Sequence, residues 1–82
     1  MSDKETLYRT SDIYFSSYLC ALDIPLMTTE RDVRNRSKVI FVFKLAEQNL
    51  TRLKAQYFGG QGTVKARQFA DSLRSLKSMC HT

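Results

Sequence analysis

Between two lysines, Lys38 and Lys44, the chain carries five consecutive apolar residues, Val39-Ile40-Phe41-Val42-Phe43. The run is β-branched and aromatic, which predicts a strand over Lys38–Lys44. Alternation places Val39, Phe41 and Phe43 on one face and Ile40 and Val42 on the other. The preceding stretch, Leu26 to Asp32, mixes threonines and charges and reads as a weaker edge strand, blunted by Glu30, Arg31 and Asp32. Val33 to Ser37 has turn composition, with Asn35 and Ser37, so the two strands form a hairpin.

The remaining apolar positions recur at helical spacing. Thr10-Ser11-Asp12 offers oxygen acceptors for the free amides of a first turn. Tyr14, Phe15, Tyr18, Leu19 and Leu22 then fall on one helical face, and Pro25 ends that helix. A second helix presents Ala46, Leu50, Leu53 and Tyr57 and stops at Gly59-Gly60, where glycine takes the left-handed position without penalty. Thr63-Val64 bridges to a third helix with Ala66, Phe69, Leu73, Leu76 and Cys80 on its buried face. Its opposite face carries Lys65, Arg67, Gln68, Ser72, Arg74, Ser75 and Lys77.

Together these elements predict an α+β fold, helix–β-hairpin–helix–helix: a small two-stranded antiparallel sheet packed by three helices. A lone hairpin is unstable in water, so all three helices supply its cover, most simply on one face. The order differs from a winged helix, whose hairpin follows the recognition helix. Residues 1–7 are polar and read as a flexible N-terminus, leaving a single domain over 8–80.

With 82 residues, one domain is the expectation. A chain of this length buries only about 60–65% of its unfolded surface. A homodimer through the sheet face is therefore a candidate, since helices on one side leave the other side apolar.

Charge changes the picture more. Residues 1–30 hold two basic groups against five acidic ones, a net of −3, and residues 31–82 hold eleven against three, a net of +8. Such asymmetry favours DNA, RNA or an acidic protein partner. The N-terminal MSDKETLYRT has no apolar signal core, and no run approaches the ~20 residues of a membrane span. A cytoplasmic protein with Cys20 and Cys80 reduced, and no membrane association, is expected.

Candidate chemistry is sparse. Gly59-Gly60-Gln61-Gly62 lacks the Gly-Lys-Ser/Thr ending of a phosphate loop and follows a helix instead of a strand, so it reads as a helix cap and turn. It also contains the Gly-Gly-Gln tripeptide of release factors, without that family's surroundings. Cys80-His81 supplies two zinc-type ligands where four are wanted, so no metal is expected. The one histidine is penultimate and the carboxylates form no acid cluster, so no catalytic residues, no cofactor and no enzymatic activity are expected. Stacking of single-stranded nucleic acid on Phe41, Phe43 or the tyrosines competes with their need in the core.

Tyr8-x-Thr10-Ser11-Asp12, Phe41-Val42-Phe43, Tyr57-Phe58, Val64, and Leu73 with Leu76-Lys77 together resemble a family of short, uncharacterised bacterial and phage proteins classed as a domain of unknown function. The resemblance spans about residues 8 to 79. It implies a bacterial or phage origin and no particular activity. Lys65 stands where that family's pattern has a small polar cap residue.

The sequence therefore predicts a non-enzymatic binding protein. Its nucleic-acid contacts are assigned to Arg34, Asn35, Arg36 and Lys38 on the hairpin turn, with Lys65, Arg67 and Arg74 in support. The alternative is a protein–protein module, such as a phage-encoded regulator or inhibitor docking on a host protein.

Overall fold

The computed structural model describes residues 5–80. In chain order the elements are β1 (Glu5–Thr10), α1 (Ile13–Ala21), β2 (Leu26–Arg31), β3 (Val39–Ala46), α2 (Glu47–Phe58) and α3 (Ala66–Cys80). The strands form one antiparallel sheet in the order β1-β3-β2. This corrects the expected two-stranded sheet: the class is α+β, but a third strand precedes the first helix. The first four residues of the stretch read as a flexible N-terminus lie outside the described residues, and Glu5–Leu7 belong to β1.

The physical reason lies in β3. A strand apolar on both faces is a central strand and needs a neighbour on each side. β1 supplies the second neighbour, in a register that sets Thr10 opposite Phe41, Tyr8 opposite Phe43 and Glu5 opposite Ala46. On the other side Arg31 faces Val39 and Leu26 faces Phe43, with a register shift between Leu26 and Thr28. β3 also runs two residues further than expected, because Leu45 and Ala46 are buried, and it passes directly into α2.

Val39, Phe41, Phe43 and Leu45 join Phe15, Tyr18, Leu19, Leu53 and Leu76 in the core. Phe15, Phe41 and Phe43 are almost wholly removed from water, each contributing on the order of 2–3 kcal/mol. On the opposite face of β3 no helix is needed to bury Val42, which is only 2% exposed. Arg9 lies opposite Val42 on β1, and its Nε donates to Glu30 Oε1 on β2 at 3.2 Å. The pair spans β3, and the aliphatic stem of Arg9 covers apolar surface.

α1 starts where expected. Asp12 Oδ1 accepts from the amides of Tyr14 and Phe15 at 3.0 and 3.1 Å, a cap worth about 1 kcal/mol. Its burial, however, runs round the helix: Ser16 and Ser17 are as inaccessible as Phe15, whereas Tyr14, expected inside, is half exposed. Both serine hydroxyls donate to carbonyls one turn back, Asp12 and Ile13, at 2.7 Å. These satisfied, small side chains let α3 pack closely along α1. The expectation that all three helices lie directly on the sheet is thereby modified.

α1 and α2 end alike. The amides of Asp23 and Ile24 donate to Cys20 and Leu19 carbonyls, with Asp23 at φ 65°. Those of Gly60 and Gln61 donate to Tyr57 and Gln56, with Gly60 at φ 77°. Both are paired-bond caps closed by one left-handed residue. Among the described residues no helix is long and apolar enough to cross a membrane.

Two measurements test this packing. Open space surrounds Gly60, so Gly60→Ala acts through the backbone alone and should lower unfolding stability by about 1 kcal/mol. Urea denaturation will read it as a lower midpoint with unchanged slope. Ser17→Leu should cost about 1–3 kcal/mol by overpacking the α1–α3 contact, whereas Ser17→Ala should leave the midpoint nearly unmoved.

Candidate functional site

The β2–β3 connection spans residues 32–38 and carries the main cluster of the expected cations. Its conformation is set by its short polar side chains. The Asp32 amide donates to the Lys38 carbonyl at 3.1 Å and closes the loop. Asp32 Oδ1 accepts from the amides of Arg34 and Asn35 at 2.8 and 3.3 Å. The Lys38 amide donates to the Asn35 carbonyl at 2.9 Å, and Asn35 Oδ1 accepts from the Ser37 amide and hydroxyl. Arg31 Nη1 donates to the Arg36 carbonyl at 3.2 Å. These are local side-chain-to-backbone bonds of the kind Asp, Asn and Ser favour in turns.

The side chains of Arg34, Arg36 and Lys38 take no part. All three are exposed, and among the described residues their side chains make no hydrogen bond or ion pair. The loop's one carboxylate, Asp32, is committed to backbone amides. Val33 beside them is 94% exposed. Asn35, expected to contact nucleic acid, has its side-chain oxygen engaged within the loop.

The supporting cations are dispersed. Lys65 precedes α3, and Arg67 and Arg74 are exposed on it. At 100° per residue both arginines fall opposite the buried Leu76. Gln68, Asp71 and Ser72 line a small cleft with Cys20, Ala21 and Asp23, so the beginning of α3 lies beside the end of α1 and the two helices are antiparallel. Lys65 and Arg67 lie at the beginning of α3 and Arg74 about two turns further along it, near its middle. The structure joins four of the seven expected residues into one loop and leaves the other three apart.

Sequence reasoning missed an aromatic group at the start of α1. Phe15 lies 5.3 Å from Tyr57 and 5.6 Å from Phe58, centroid to centroid, and Tyr57 and Phe58 meet edge to face at 4.9 Å. Burial, followed by the nearby Asp12 carboxylate and Tyr14 hydroxyl, pushes the Tyr57 phenol above its usual range. These neighbours bring the end of α2 to the beginning of α1. Phe58 stands one position off the Leu50–Leu53–Tyr57 stripe, a signal that it points away from the core, and it is 66% exposed. Phe41 and Phe43, considered for stacking, are sealed in the core.

At the other end of the sheet, a cleft of about 650 Å³ opens between the α1–β2 turn and the first turns of α2. Its apolar floor includes Leu22, Ile24, Pro25, Leu45 and Leu53, and its rim holds Glu5, Asp23, Lys44, Asn49 and Arg52. Arg52 Nη2 donates to Asn49 Oδ1 at 3.3 Å. The lining contains no hydroxyl, thiol or imidazole. In the smaller cleft, burial pushes the Cys20 thiol above its ordinary pKa, which disfavours the reactive thiolate. Cys20 and Cys80 are both free. His81 lies outside the described residues, and among the described ones no three His, Cys, Asp or Glu side chains gather to hold a metal ion.

The chain matches no protein-family model, no curated protein and no solved structure.

If Asp32 holds the loop, Asp32→Ala should speed hydrogen exchange at the Arg34 and Asn35 amides, whereas Asp32→Asn keeps an acceptor oxygen and should preserve most of the protection. Residue-resolved exchange by NMR distinguishes the two.

Proposed function

We propose that this protein binds nucleic acid without catalysing a reaction, using the β2–β3 loop as its main contact. The observation that carries the reading is the division of roles within the loop. Asp32, Asn35 and Ser37 hold its backbone, while the side chains of Arg34, Arg36 and Lys38 stand exposed with no partner among the described residues. A pre-shaped loop of uncommitted cations can follow a phosphate backbone, releasing condensed counterions as it does so. Arg74 and the other cations of α3 extend the positive field without belonging to the same contact.

The rival reading is a protein partner on the sheet face that carries no helix. Half-exposed Leu7 on β1, and partly exposed Ile40 further along β3 opposite Glu30, favour that surface. The Arg9–Glu30 pair weighs against it, because docking there would bury or break an ion pair that is now half exposed to solvent.

Mobility-shift titrations of DNA and RNA across a range of salt concentrations test the proposal. Binding should weaken steeply with salt, and Arg34→Ala/Arg36→Ala should make the log–log slope shallower by about 1 per cation removed. Absence of any shift at low salt would rule the reading out.

A further inference from the structure

We infer that the strand this protein binds is single, and that Phe58 and Tyr14 form the platform on which its bases stack. The inference rests on the nucleic-acid reading above and specifies the class of ligand.

The chain has five phenylalanines and four tyrosines, and the fold leaves few of them available. Phe15, Phe41, Phe43 and Tyr18 are buried. Tyr8 is half-buried, and the ammonium of Lys54 lies over its ring, 4.6 Å from the centroid. Tyr57 is enclosed by Phe15, Tyr18 and Phe58. Phe69 is packed against the core. Only Phe58 and Tyr14 keep more than half of their surface in water, at 66% and 52%.

Phe58 is not a loose side chain. Phe58 is stacked on Phe15, with ring planes 29° apart, and is braced at its edge by Tyr57. The backbone of Tyr14 is anchored in the first turn of α1 by its capped amide, and its ring is half exposed. A ring held on one side and open on the other is what base stacking requires, since little freedom is lost when a base arrives. Gly59 and Gly60 follow Phe58 and bring no side chains beside it.

Topology sets this platform at the same end of the sheet as the basic loop. β1 leaves the sheet at Thr10 opposite Phe41, two residues from Val39, where the loop joins β3. α1 begins just beyond Thr10 with Tyr14 in its first turn. α2 starts at the opposite end, after Ala46, and returns so that Phe58 rests on Phe15. Open aromatic faces near an uncommitted row of cations fit unstacked bases on a phosphate backbone. In duplex DNA or RNA the base faces are occupied by neighbouring bases.

Fluorescence anisotropy with labelled oligothymidylate, a duplex of equal length, and an abasic strand of equal charge tests this. The expected order is oligothymidylate tightest, with the duplex and the abasic strand weaker. Phe58→Ala should weaken oligothymidylate by about tenfold and leave the abasic strand unchanged, and Phe58→Trp should retain wild-type affinity. Tyr14→Ala should act in the same direction. Binding of oligothymidylate and abasic strand with equal affinity, or Phe58→Ala binding oligothymidylate as wild type does, overturns the platform while leaving the loop reading intact. Failure of the wild-type protein to bind any of the three probes removes the nucleic-acid reading itself.

Discussion

A strand that is apolar on both faces must be covered twice, and in this protein β3 imposes that requirement on everything around it. Phe41 and Phe43 on one face meet Phe15, Leu19 and the helices. Val42 on the other face is closed over by the flanking strands. A second edge strand, the ion pair across the sheet and the return of α2 toward Phe15 all follow from enclosing this one segment. With so short a chain, no part of it can be spared from that work except at the ends of elements, and the candidate contact surface lies at those ends.

What could be read from the sequence follows the same physics. The three helices and the hairpin were legible because their apolar spacing and their caps agree. Asp12 accepts the first-turn amides, and Gly60 takes the left-handed position at the end of α2. β1 was not legible, since an edge strand over an open sheet face needs few apolar residues, and Glu5, Thr6, Arg9 and Thr10 look like a solvated tail. The sign of its presence lay in β3, whose two-faced apolar run requires two neighbours. The burial of Ser16 and Ser17 was not legible for another reason: bonding back along the helix hides their polarity, which no hydropathy pattern records. Of the candidate site, the loop cations were evident. Phe58 was discernible only as a position off the stripe, and Tyr14 was assigned to the wrong side of α1.

The uneven charge along the chain also gains a structural meaning. Several acidic groups of the first half have internal duties: Asp12 caps α1, Asp23 occupies the left-handed turn at its end, and Glu30 pairs with Arg9. In the second half Asp32 is likewise spent on amides, whereas Arg34, Arg36 and Lys38 are given no task by the fold. The carboxylates of Asp12, Glu30 and Asp32 are spent on building the protein, whereas the three loop cations are left for the surrounding solution.

The strand order has a consequence for how the chain is made. The β2–β3 hairpin joins residues close in sequence, while β1 must find partners more than a helix and a strand away, at a greater entropic cost of closure. Synthesis runs from the N-terminus, so β1 emerges first, yet Glu5 has no partner until Ala46 has left the ribosome. Throughout that interval the segment presents threonines and charges to solvent, with little apolar surface to attract a wrong neighbour. The composition that disguises β1 as a tail is also the one that lets it wait safely.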